Sequence, residues 1–170
     1  MRPKYLTTRP GAIGARNPPP RLAPAVQLFG RDPVIDYVYE FEQSFARIRQ
    51  GDLAERFLDR FYQRFFSADP LVAEKFGATD MAHQKQMLRE SLAEMAEFAL
   101  TRQSNPYIVT LARIHGSRGR DIPVRLYDLW LDCLVDTVRE MDSDATDAVA
   151  LAWRIVMGPG IEFMKFYRDK

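Results

Sequence analysis

Histidine and cysteine are both scarce in this chain, whose 170 residues include 2 His and 1 Cys. A single cysteine, Cys133, cannot close an intramolecular disulfide, so nothing demands an oxidising compartment, and it reads as a small buried apolar residue. No run approaches the roughly 18 to 20 uninterrupted apolar residues of a membrane-spanning helix, and the first residues lack the apolar centre of a signal peptide. The expectation is a soluble, cytoplasmic protein. A formal net charge of +1 removes the electrostatic case for a dedicated nucleic-acid binder. Catalytic motifs are lacking as well: there is no Walker loop, dinucleotide glycine fingerprint, HExxH, CxxC or nucleophile elbow. His83 and His115 stand 32 residues apart with no third ligand indicated, which argues against a shared metal ion.

Proline is unevenly distributed. Seven of the 11 prolines lie at or before Pro33, in a stretch that also carries Arg2, Lys4, Arg9, Arg16, Arg21 and Arg31. Residues 1–31 contain no acidic residue, and the run Pro18, Pro19, Pro20 favours extended polyproline structure over a buried core. This segment reads as a disordered basic tail, with a docking arm for a partner or a membrane surface as the alternative. The remainder, residues 32–170, holds 18 basic against 23 acidic residues and reads as one domain.

That domain is patterned for helices. Asp32 and Pro33 open a first stripe of Val34, Val38, Phe41, Phe45 and Ile48 at steps of three and four. Gly51 ends it, and Asp52 with Glu55 predicts a capping box for a second helix bearing Leu53, Phe57, Phe61 and Phe65. Pro70 starts a short helix ending near Phe76. Thr79 or Asp80 caps a long helix with Met81, Gln84, Leu88, Leu92 and Met95 inward. Asn105 and Pro106 open another short one, with Ile108, Leu111 and His115 on one face, closed by Gly116 and Gly119. Asp121 and Pro123 start the next, bearing Tyr127, Trp130, Leu134 and Val138. Ser143 caps the last, with a kink expected at Gly158, Pro159 and Gly160. No period-two alternation competes, so the fold class is all-α, with about six major helices.

His115 is the informative residue. A lone histidine on an apolar face is usually a packed core residue, but its companions raise the stakes. The proline-initiated turn Pro70 to Phe76 lies 39 residues upstream, preceded by Tyr62 and followed by Gln84 and Leu88. On these residues the chain resembles the globin family, bacterial single-domain globins above all, over roughly residues 33–168. In that family a proline-started short helix ends in a haem-packing phenylalanine, which matches Phe76. Counting back fourteen places reaches the distal position on the second helix, here Tyr62; counting forward eight reaches the distal residue of the next long helix, here Gln84. His115 then stands at the proximal position, 31 residues beyond Gln84.

The resemblance implies haem b held by His115, with the opposite axial position open to a diatomic ligand such as oxygen, nitric oxide or carbon monoxide. Phe76, Leu88, Leu111 and Tyr127 would pack the porphyrin, with Val124 as a looser candidate. Tyr62 and Gln84, flanked by Leu88, would offer hydrogen bonds to the bound gas. The same pair resembles that of bacterial globins that consume nitric oxide, which would here require a separate reductase because the sequence ends at Lys170 without a flavin or nicotinamide domain. Tyr127 and Glu162 are the candidates for tuning the proximal histidine, although the spacing departs from the family pattern. Taken singly, Tyr62 and Gln84 read more readily as ordinary helix-surface residues, and Trp130, Trp153 and the methionines as core. His83, turned about 100° from Gln84, is expected to face solvent; a one-residue slip would make it a sixth ligand. Association as a homodimer through the last two helices is a further expectation. Two other readings stay open: a globin-fold signalling module without haem, and an unrelated helical adaptor that binds through its basic tail.

Overall fold

The computed structural model describes residues 35–170; the basic segment 1–31 and the expected Asp32 cap lie outside them. Among these residues seven helices follow one another: α1 Tyr37–Ile48, α2 Gly51–Ala68, α3 Pro70–Phe76, α4 Met81–Thr101, α5 Pro106–His115, α6 Val124–Met141 and α7 Asp147–Tyr167. No strand occurs among the described residues, and the all-α class stands.

Short polar side chains start most of these helices by accepting from N–H groups that have no partner in the first turn. Asp36 accepts from the Tyr39 N–H, Asp69 from Leu71, Asp80 from Ala82 and His83, Asn105 from Ile108, and Thr146 from Val149. The proline-started α3 and α5 begin where expected, because a proline in the first turn loses nothing by lacking an N–H.

Several expected boundaries move. The first helix starts from Asp36. At α2 the capping position is Gln50 without a side-chain bond; Gly51, at φ +50, takes the left-handed bend, and Asp52 rides in the first turn, where its charge still suits the helix dipole. Ser143 does not cap α7. Asp142 is instead pinned by Arg47 (Nε to Oδ1 2.6 Å, Nη2 to Oδ2 2.8 Å), which holds a turn at 142–145 and delays the helix to Thr146. Nor does α7 break at Pro159: the helix runs through it. Pro159 is exposed and follows a glycine, so the ring meets no side chain before it, and water can reach the carbonyl it leaves unbonded.

Helix α7 is the spine. Its buried residues include Trp153, Val156, Met157, Gly160, Ile161 and Met164, and α1, α4, α5 and α6 all pack on it. Trp153, fully buried, meets Phe41 edge-on at 4.8 Å and donates from its indole nitrogen to Ser44 Oγ at 2.9 Å. Where α4 crosses α7, Gly160 lets the two approach so closely that an added Cβ would lie 2.6 Å from Met95 Cε. Helix α2 lies on α6 and carries α3 at its end. Between α2, α3, α4 and α5 a void is left. Cys133 is buried as expected. No described helix is long and apolar enough to cross a membrane.

Candidate functional site

The void is lined by Tyr62 and Phe65 of α2, Val72, Lys75 and Phe76 of α3, and Gln84, Met87, Leu88, Ser91 and Met95 of α4. Leu111, Ile114 and His115 of α5, Arg120 and Ile122 of the following loop, Leu126, Tyr127 and Trp130 of α6, and Ile161 and Met164 of α7 complete it. Counted together with the open solvent at its mouth, the space measures about 1050 Å³. Most of the lining is apolar, and its charged side chains, Lys75 and Arg120, are both cations.

His115 is the last residue of α5, and the helix itself orients its ring. Nδ1 lies 2.8 Å from the carbonyl of Leu111, one turn earlier. A carbonyl only accepts, so Nδ1 carries the proton, and in a neutral ring the far nitrogen, Nε2, is left with its lone pair. Part of the ring surface remains accessible because it faces the void, but protein crowds it otherwise. That desolvation, partly opposed by the bond to Leu111 and reinforced by the charge of Arg120, holds the imidazole below its ordinary pKa. A neutral imidazole with one nitrogen anchored and the other free is what a metal centre requires of a histidine ligand.

Tyr62 and Gln84 meet on another wall. The Tyr62 hydroxyl donates to the Gln84 carbonyl at 3.3 Å, and burial pushes the phenol up to about 12, so it remains a donor at any physiological pH. Its ring is held by Phe61 at 5.1 Å, Phe66 at 5.6 Å and Phe76 at 5.9 Å. Leu88, one turn beyond Gln84, is 4% exposed and keeps this corner dry. Tyr127, whose phenol burial also pushes up to about 12, donates to the His115 carbonyl at 3.4 Å.

Thus Tyr62, Phe76, Gln84, Leu88, Leu111, His115 and Tyr127, scattered over five helices, line one void. Two looser candidates do not. Val124 is 46% exposed at the start of α6, because Pro123 sets the helix start so that Leu126 and Tyr127 turn inward. Glu162 is exposed and pairs with Lys165 at 2.9 Å, leaving it unable to tune His115. His83 is exposed, as expected.

Sequence reasoning missed Lys75, Arg120, Met87 and Trp130. Lys75 crosses the mouth to donate to the Arg120 carbonyl at 3.0 Å. A lysine in the last turn of α3, next to Phe76, was the available signal. Trp130 looked like ordinary core because the apolar period of α6 does not distinguish a packed face from one bordering a void.

No protein-family model matches the chain, and no curated protein matches it. Among solved structures, it is similar to a protein from Pseudomonas aeruginosa PAO1 that is described as structurally highly homologous to a human hemoglobin. The two share 34% identity over 79% of this chain and 100% of that one, with a TM-score of 0.73.

Proposed function

Since this chain belongs to the same globin-like family as the Pseudomonas protein, we propose that it binds haem and, through it, a diatomic gas. The observation that carries this reading is His115, with Nδ1 tied to Leu111 and Nε2 left free at the edge of an apolar void. The lining suits a flat apolar ring with acidic edges: Phe76, Leu88, Leu111 and Tyr127 supply apolar contact, and Lys75 with Arg120 supplies positive charge at the mouth for the porphyrin carboxylates. The absence of any Cys-X-X-Cys-His sequence favours haem b, held without covalent links. When bound, the group would supply an iron that His115 would hold and that could take up oxygen, nitric oxide or carbon monoxide.

The chain's own residues do the rest. His115 keeps its lone pair because burial disfavours its charged form. Tyr62 holds its proton and can turn its hydroxyl from the Gln84 carbonyl toward a ligand, while the Gln84 amide offers a second donor. Leu88 and the phenylalanines exclude water, which strengthens those bonds and slows loss of an electron from the metal. The same two donors would suit conversion of nitric oxide and oxygen to nitrate, with the one electron per turnover supplied by a separate reductase.

The test is a spectrum. Protein produced with haem supply should show a Soret band that gas binding moves, and His115→Ala should lose the band or bind haem only loosely. A parent protein without the band, or a His115→Ala protein indistinguishable from it, refutes the reading.

A further inference from the structure

The last turn of α5 carries both His115 and the Leu111 carbonyl that orients it. A helix of ten residues is marginal by itself, and its final carbonyls need partners from outside. They find them in the loop 116–122. The Ile114 carbonyl accepts from the Arg120 N–H at 2.8 Å, and the His115 carbonyl from the Ile122 N–H at 3.0 Å.

Lys75 holds that loop at the Arg120 carbonyl, and Arg168 holds it at both ends. The Arg168 carbonyl, just past α7, accepts from the Ser117 N–H at 2.7 Å and from Ser117 Oγ at 3.0 Å. Its guanidinium donates from Nε to the Ile122 carbonyl at 3.3 Å and from Nη2 to Asp121 Oδ1 at 2.6 Å. Gly116 lies directly beneath, so close that a Cβ there would stand 2.8 Å from the Arg168 carbonyl oxygen. Asp121, the far anchor, takes a φ of +45, a backbone conformation that an aspartate adopts at a cost and that the ion pair to Arg168 helps to hold. Arg168 thus fastens both ends of the loop to the most deeply buried helix of the domain.

We propose that Arg168 is a positioning residue for His115, clamping the loop 116–122 to the end of α7 so that the imidazole keeps a single orientation toward the void. The inference rests on the haem reading for its consequence, since a clamped histidine matters because of what it would ligate. The clamp spans the cavity's proximal wall, and Arg120, which lines the mouth, belongs to the loop it holds.

The experiment compares Arg168→Ala, Arg168→Lys and Thr146→Ala in the full chain. Thr146→Ala removes the side-chain cap at the opposite end of α7 and serves as a control for general loss of stability. In haem-free protein, nitrogen NMR reads the tautomer of the His115 ring and hydrogen exchange reads the Ile122 amide. In haem-loaded ferrous protein, resonance Raman reads the iron–histidine stretching band. Arg168→Ala should raise Ile122 exchange about tenfold or more, mix the two tautomers, and shift and broaden the band. Arg168→Lys, which keeps the charge beside Asp121 but loses the Nε donor, should fall between Arg168→Ala and the parent. Thr146→Ala should lower the melting temperature and leave tautomer and band alone. An unchanged tautomer in Arg168→Ala, or an equal change in Thr146→Ala, overturns the proposal. Should the parent take up no haem, the haem reading fails, and tautomer and exchange still decide whether the clamp exists.

Discussion

Gly160→Ala sets two opposing effects against each other. In an ordinary helix interior the change would stabilise by about 1 kcal/mol, since alanine restricts the unfolded chain and favours helix. Here the new methyl would stand 2.6 Å from Met95 Cε, 3.0 Å from Cγ and 3.3 Å from Cβ. The first contact is with a flexible end that can swing, but Cβ is fixed by α4, so the chain cannot relieve everything by rotation. Overpacking of this kind costs about 1 to 3 kcal/mol, which outweighs the helix gain and leaves a net loss of about 1 kcal/mol. For a domain of this size that is about 3 °C in melting temperature. Met95 lines the cavity, and the escape open to its sulfur end is into that void. The variant should therefore also bind haem with an altered Soret maximum or a faster loss rate. A double-mutant cycle with Met95→Ala isolates the contact, because removing the crowding atoms should recover about 1 kcal/mol or more of coupling. Denaturant unfolding measures all four proteins. Additivity within about 0.3 kcal/mol, or a Gly160→Ala protein more stable than the parent, would refute the close-approach argument.

Other outcomes follow from the same geometry. Tyr62→Phe should leave stability nearly unchanged, since the hydroxyl's 3.3 Å bond goes to a helix carbonyl, yet raise oxygen dissociation about 5- to 10-fold by removing one donor worth about 1 kcal/mol; stopped-flow measurement of an unaltered rate excludes Tyr62 from the ligand site. Lys75→Glu should speed haem transfer to an acceptor globin about 2- to 5-fold, as befits a partly exposed ion pair, and added salt should shrink the difference. Burial alone would raise the Asp142 carboxyl, but bonds from Arg47, Ser44 and the Asp144 N–H outweigh it and hold the group below its ordinary value. Because the folded value is the lower one, this stabilisation is complete above about pH 4 and is lost as pH falls further. Asp142→Asn should cost about 2 kcal/mol near neutrality and flatten the acid limb of stability against pH, and an acid limb like the parent's would contradict it.

Local chemistry made most of the fold legible. Pro70 and Pro106, the caps Asp80 and Asn105, and the apolar steps of α2 and α4 each act over one or two turns, so they read directly from the order of residues. The misplaced boundaries have a common origin. Asp52, Asp121 and Ser143 are all competent caps, and which cap is used was decided at two of them by distant partners, Arg47 holding Asp142 and Arg168 holding Asp121, and at Asp52 by the left-handed bend of Gly51 just before it. Glu162 failed as a site candidate because a helix period alone does not say which face a neighbouring helix covers.

By itself, then, the order of residues determined the all-helical class, because rise and period convert sequence distance into position along a helix, while the relation of His115 to Tyr62, Phe76 and Gln84, on four different helices, came from the resemblance to globins. It could not determine what surrounds them. The cations at the cavity mouth, the crowding at Gly160 and the clamp from Arg168 all arise between segments remote in sequence. Only the packing of α4, α5 and α6 onto α7 brings those segments together.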